Sequence, residues 1–175
     1  LQADISAVGM FNVANTCYLN AVVQAYFWIP EFRSTVLAFD GEAARRTLEK
    51  SRSTGGLSPA AGLTGKRTSE ILGSITVAEE LAKLFGLLTC GKRFAYSPYA
   101  LYVALLERNQ PLMIANAQLD VAEFNSLLLD NLREAFHVVG TVAEHADESG
   151  EQDETCKTPA KSDPIGHLFF GTQRT

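Results

Sequence analysis

In the stretch NVANTCYLNAVVQ, residues 12–24, one cysteine stands between a polar loop and an apolar, helix-like run. A thiol in the first turn of a helix meets unpaired backbone N–H groups and the positive end of the macrodipole. That setting favours the thiolate, which is the nucleophilic form. Asn12, Asn15 and Thr16 add polar groups that an apolar core would exclude. The Cys17 backbone N–H and an asparagine side-chain amide together have the makings of an oxyanion hole, both aimed at a carbonyl oxygen gaining charge. The competing reading is a buried structural thiol, because free cysteine is among the most buried residue types. A nucleophile also needs a proton acceptor, and the chain offers His137, His145 and His167. Each of these reads as a cap or surface residue: His137 at the end of an amphipathic helix, His145 in an acidic stretch, His167 at the start of a strand.

The elements that must position this thiol are mostly helical. The first helix begins near Thr16 or Cys17, runs through Val22, Val23, Tyr26 and Phe27, and stops before Pro30. A short continuation, Glu31 to Phe39, carries Phe32, Val36, Leu37 and Phe39. Residues Asp40 to Ser74 turn to Gly, Ser, Thr, Arg and Lys and read as a flexible insertion. Thr76 and Glu79 form a T-x-x-E capping box opening the next helix. There Leu81, Leu84, Phe85 and Leu88 recur at helical spacing, and Gly91 suits the C-terminal cap. Ser97-Pro98 starts another helix, with Leu101, Val103, Ala104, Leu105 and Leu106 on its apolar face. After the loop NQPLMIANAQ, Asp120 caps a longer helix, with Glu123 three residues on and Phe124, Leu127, Leu128, Leu132 and Phe136 lining its buried face. Residues from about 141 to 162 are acidic and read as a solvated loop. PIGHLFFG reads as the start of a strand.

Composition sets outer limits. At 175 residues, 46% hydrophobic and 20% charged, the chain has the make-up of an ordinary globular domain with a sizeable core. A net charge of −5 gives no reason to expect nucleic acid, which calls for a basic face. Cys17, Cys90 and Cys156 lie far apart, with no C-x-x-C pair, which argues against a zinc site and a disulfide framework. No stretch approaches the length of an apolar membrane span, and the N-terminus has no signal pattern. A reducing compartment, cytosol or nucleus, is the default. The chain begins at Leu1 and stops at Thr175, just after Leu168-Phe169-Phe170, and both ends read as cuts in a larger protein.

Two blocks carry a resemblance. Gly9 to Asn20 followed by Gln24 (GMFNVANTCYLN-x-x-x-Q) closely resembles the cysteine box of the ubiquitin-specific proteases, and Pro30-Glu31-Phe32-Arg33 matches its usual continuation. Gln118 to Phe124 (QLDVAEF), then Leu127-Leu128-Leu129-Asp130, is similar to the family's second box, in the right order and with the LFFG segment after it. Looser similarity in Glu79 to Arg93 and Leu129 to Phe136 points to the subgroup of ubiquitin-specific proteases twenty-five and twenty-eight.

The resemblance implies an α+β papain-like cysteine peptidase fold. Residues 1–175 would be part of a catalytic domain: the mostly α-helical thumb half and the first part of the fingers. Cys17 matches the nucleophile that attacks the carbonyl of ubiquitin's last glycine, and Asn12 matches the oxyanion residue. Asp120, Val121 and Ala122 match positions that hold the extended ubiquitin tail. Asn15, Gln24 and Gln118 match supporting positions. Ubiquitin or ubiquitinated proteins are the implied partners, with no cofactor and no active-site metal. Asp120 has two readings, cap of its own helix or acceptor of a tail guanidinium.

Departures matter too. Ala14 stands where the family has glycine, which strains the loop if that position needs positive φ. Leu119 replaces a second glutamine. The family's histidine box is absent, so the general base is expected downstream of Thr175. A deubiquitinase catalytic domain present in part is therefore the first reading. An inactive or truncated module that binds ubiquitin without cleaving it is the second, and an unrelated helical scaffold the third.

Overall fold

The apolar run after Cys17 builds one wall of the core. A computed structural model describes residues 8–13, 15–53, 65–110, 112–115 and 117–146. Helix α1, Cys17–Phe27, begins at the cysteine. Its buried residues Tyr18, Leu19, Val22, Val23, Tyr26 and Phe27 recur every three or four positions, so a single stripe faces inward. Pro30 opens α2, Pro30–Leu37, in the first turn, where a missing N–H leaves no hydrogen bond unmade. Phe32 and Val36, one turn apart, bury completely.

The expectation of a flexible insertion over residues 40–74 is corrected for its described parts. Residues Gly41–Ser53 form α3, and α4 runs from Gly65 to Cys90. Asp40 starts α3, its Oδ1 accepting the Ala43 N–H at 2.9 Å. Ala44 and Leu48, one turn apart, are buried, while Glu42, Arg46, Glu49 and Lys50 face outward. That exposed, charge-rich face is what gave the segment its loop-like composition. Residues 54–64 lie outside the described residues.

The capping box at Thr76 is corrected as well, because both of its residues lie well inside α4. Thr76 Oγ1 donates back to the Leu72 carbonyl at 3.0 Å. Glu79 instead pairs with Arg45 of α3, whose Nη2 reaches Glu79 Oε2 at 2.7 Å and Thr76 Oγ1 at 3.2 Å. The Glu79 carboxylate holds the Arg45 guanidinium above its ordinary range, against the opposing effect of burial. A residue pair that satisfies the T-x-x-E pattern thus serves to fasten α3 to α4.

Helix α4 packs against both α5, Tyr99–Arg108, and α6, Val121–Ala146. Small and polar residues of α4 that look like loop residues in sequence make that packing close. Ser74, fully buried, lies 2.5 Å from Glu134 Oε2 and 3.1 Å from Asn131 Oδ1 through its hydroxyl. Arg108 of α5 donates to Ser74 Oγ at 3.0 Å and to Glu134 Oε2 at 2.9 Å. Asn131 donates to Asn109 Oδ1 at 3.1 Å and to the Leu127 carbonyl at 2.7 Å. The three helices therefore share one polar cluster whose buried members have partners, as a low-dielectric setting demands.

Two short strands complete the described structure. Strand β1, Gly9–Met10, pairs in parallel with β2, Ala95–Tyr96. Two residues each are too few to leave a period-two pattern, so the pair was not expected from sequence. Helix α5 starts with Ser97 Oγ accepting the Tyr99 N–H at 3.3 Å. Helix α6 continues through Gly140 to Ala146, so the first residues of the expected acidic loop are helical. The rest of that loop and the PIGHLFFG segment lie outside the described residues. Among the described residues no helix is long and apolar enough to cross a membrane.

Candidate active site

Strand β1 and the described residues between it and α1 are suspended between α1 and β2, and the bonds of this segment decide where Cys17 lies. Gly9 N–H donates to the Phe94 carbonyl at 2.8 Å and Phe11 N–H to the Tyr96 carbonyl at 2.9 Å, tying the segment to β2. From the other side Gln24 Nε2 reaches the Val8 carbonyl at 2.9 Å, and Asn20 Nδ2 the Phe11 carbonyl at 3.2 Å. Asn20 and Gln24 are one turn apart on α1, so a single face of the helix holds the whole segment. Gln24 thus spends its side-chain amide on the backbone of this segment. Asn20 belongs to the cysteine box, and its four-residue spacing from Gln24 is the sequence signal for this shared face.

The turn itself is built on Thr16, which is fully buried. Its N–H donates to the Val13 carbonyl at 3.1 Å, and its hydroxyl accepts the Val13 N–H at 3.2 Å. The same hydroxyl donates to Asn12 Oδ1 at a long 3.5 Å. Asn12 is exposed, and its Nδ2 makes no hydrogen bond among the described residues. Asn15 takes φ 61°, the left-handed conformation that asparagine tolerates better than most residues. Ala14 lies outside the described residues.

Helix α6 brings the second block to the same place. Asp120 Oδ1 accepts the N–H groups of Ala122 at 2.8 Å and Glu123 at 3.3 Å. Of its two readings, the cap is the one the structure displays. Glu123 contributes its backbone N–H to this cap. Leu119, in place of a polar residue, packs half-buried against the core. Asp120, Val121 and Ala122 are all exposed.

Helix α1 is clamped against the start of α6 at both of its ends. The Tyr18 and Phe124 rings meet edge to face at 5.0 Å, and the Tyr26 hydroxyl bonds Asn125 Oδ1. Neither partner on α6 was assigned this role from sequence, because pairings 99 residues and more apart leave no local pattern. As a result Gln118 Nε2 stands 3.8 Å from Cys17 Sγ. Cys17 is exposed and unbridged, which removes the reading of a buried structural thiol.

Among the described residues, neither the nearest phenol nor His137 is placed to take the proton. Burial, followed by Tyr102 and Cys17, pushes the Tyr18 phenol above its ordinary range. It therefore stays protonated at neutral pH and is no base. His137 is exposed on α6, about 24 Å along the axis from Val121 at the usual rise per residue. His145 lies still further along the same helix, and His167 is outside the described residues. Among the described residues no group of three His, Cys, Asp or Glu side chains could hold a metal ion.

The start of α1 thus presents an exposed thiol, with the Gln118 amide from the second block 3.8 Å from its sulfur. The ubiquitin carboxyl-terminal hydrolase family model matches residues 8–174, and the chain belongs to that family. It is 33% identical over 171 residues to ubiquitin carboxyl-terminal hydrolase 28 of Mus musculus, covering 98% of this chain and 13% of that protein. The same hydrolase of Gallus gallus is 32% identical over 165 residues, covering 94% and 13%. Ubiquitin carboxyl-terminal hydrolase 35 of Homo sapiens is 24% identical over 170 residues, covering 97% and 14%. The matches to hydrolase 28 agree with the subgroup to which the sequence points. The chain thus spans about an eighth of the length of these relatives.

Proposed function

We propose that this chain supplies the nucleophile and oxyanion side of a thiol-dependent deubiquitinase, acting on the bond after ubiquitin's C-terminal glycine. The observation that carries the reading is an exposed Cys17 at the first position of α1, with Asn12 in contact with Thr16, the residue before it. The Cys17 sulfur attacks the glycine carbonyl carbon, a C–S bond forms, and the carbonyl electron pair moves onto oxygen. The Cys17 N–H, free of an intrahelical partner in the first turn, and the Asn12 amide donate to that oxyanion. Collapse expels the amine, which leaves with a proton, and water then hydrolyses the thioester.

Asp120, Val121 and Ala122 line the approach, where an extended tail would lie. Asp120 can do this while capping, because the cap uses one carboxylate oxygen and leaves the other for a guanidinium. The proton carrier comes from outside the described residues. The distance of His137 from Cys17 supports this and also keeps a second reading in view, a module that binds ubiquitin without turnover. Unpaired cysteines suit a reducing compartment, cytosol or nucleus.

Hydrolysis of a ubiquitin amide by the polypeptide extended past Thr175 tests the proposal. The expected result is turnover that vanishes with Cys17→Ala and falls about 10²–10³-fold with Asn12→Ala. Turnover unaffected by Cys17→Ala would refute it. Ubiquitin binding with no turnover in the extended polypeptide would select the binding module.

A further inference from the structure

We infer that Gln118 is a positioning residue for the reacting sulfur: its side-chain amide donates to Cys17 Sγ and favours the thiolate before substrate arrives. The inference rests on the nucleophile reading above and gives Gln118 a specific task within it. Two observations carry it. The first is the contact, Nε2 to Sγ at 3.8 Å, within reach of an N–H donor to sulfur and made across 101 residues of sequence. The second is that the backbone on both sides of Gln118 is held in place. Ala117 N–H bonds the Ile114 carbonyl at 3.1 Å, Leu119 packs against the core, and Asp120 caps α6. On the facing side the Tyr18–Phe124 contact holds α1 against α6. The amide is therefore delivered to the sulfur by the meeting of two helix starts.

The chemistry follows from the donor. An amide N–H stabilises S⁻ more than S–H, because the charged acceptor takes the stronger bond. No histidine is needed for this effect, and none among the described residues is near. Both residues are exposed, so water weakens the contact and its effect is modest.

The test is the pH profile of iodoacetamide alkylation at Cys17 in the 175-residue chain, followed on the Cys17 peptide by mass spectrometry. Gln118→Leu, which keeps bulk and removes the donor, is expected to slow alkylation at neutral pH roughly threefold and to displace the profile towards higher pH. Gln118→Asn, one methylene too short to reach, should behave like Gln118→Leu. Gln118→Glu should move the profile further, because a carboxylate repels the thiolate. All three variants should keep the helical circular dichroism of the parent. Superimposable profiles for parent, Leu and Glu variants would overturn the inference. Loss of the nucleophile reading would appear elsewhere, as ubiquitin-amide hydrolysis in the extended polypeptide that survives Cys17→Ala.

Discussion

At the scale of single residues, the position of Cys17 is set by hydrogen bonds of the side chains around it. Thr16, buried in the turn, holds Asn12 and Val13, and Asn20 and Gln24 anchor the preceding segment. Cys17 itself was legible from its position between polar loop and apolar run, and so was Asp120 as a helix start. Gln118 was legible as a supporting position only through family resemblance, since nothing local in QLD places it on a sulfur 101 residues away. The cap makes a direct prediction. Asp120→Ala should cost about 1 kcal/mol of stability, read by urea unfolding, because two N–H groups of α6 lose their acceptor. Asp120→Asn should recover most of that stability, because its amide oxygen still accepts. A tail-guanidinium contact would be lost in both variants and would register in ubiquitin affinity.

At the scale of elements, the described core depends on polar seams that composition disguises. Ser74 and Thr76 belong to a long helix, although their neighbourhood is rich in loop-forming residues. Hydrogen bonds from α5 and α6 and the Arg45 pairing satisfy their polar groups. Tertiary partners overrode local propensity there, and a partner's position is not written in the local sequence. Asn131→Ala should therefore lower stability by about 2 kcal/mol, since it leaves buried Ser74 and Asn109 with fewer partners. In thermal unfolding that is a fall of roughly 4–8 °C for a chain of this size. The turn from α4 into β2 is equally constrained. A Cβ on Gly91 would overlap the Tyr96 hydroxyl and the Leu87 carbonyl oxygen. Gly91→Ala should accordingly destabilise the β1–β2 pair, visible as faster amide exchange at Phe11, whose N–H bonds Tyr96. Unchanged exchange at Phe11 would show that the turn relaxes without disturbing the strands.

At the scale of the whole molecule, six helices and a short parallel pair, among the described residues, bring two distant sequence blocks to one point. The order of the blocks was readable in the sequence, as was the helical character of the regions around them. The boundaries of α3 and α4 were not, because their exposed faces carry the charge and small residues expected of loops. The family is that of ubiquitin carboxyl-terminal hydrolases, and the chain covers an eighth of the relatives it matches. With His137 far from Cys17, the 175-residue chain alone should hydrolyse ubiquitin amides negligibly. The measurement that tests the central claim most directly is labelling of the extended polypeptide by ubiquitin bearing a C-terminal electrophile. The account predicts one covalent adduct, mapped to Cys17 and absent from Cys17→Ala. An adduct that persists in Cys17→Ala, or maps to Cys90, would contradict it.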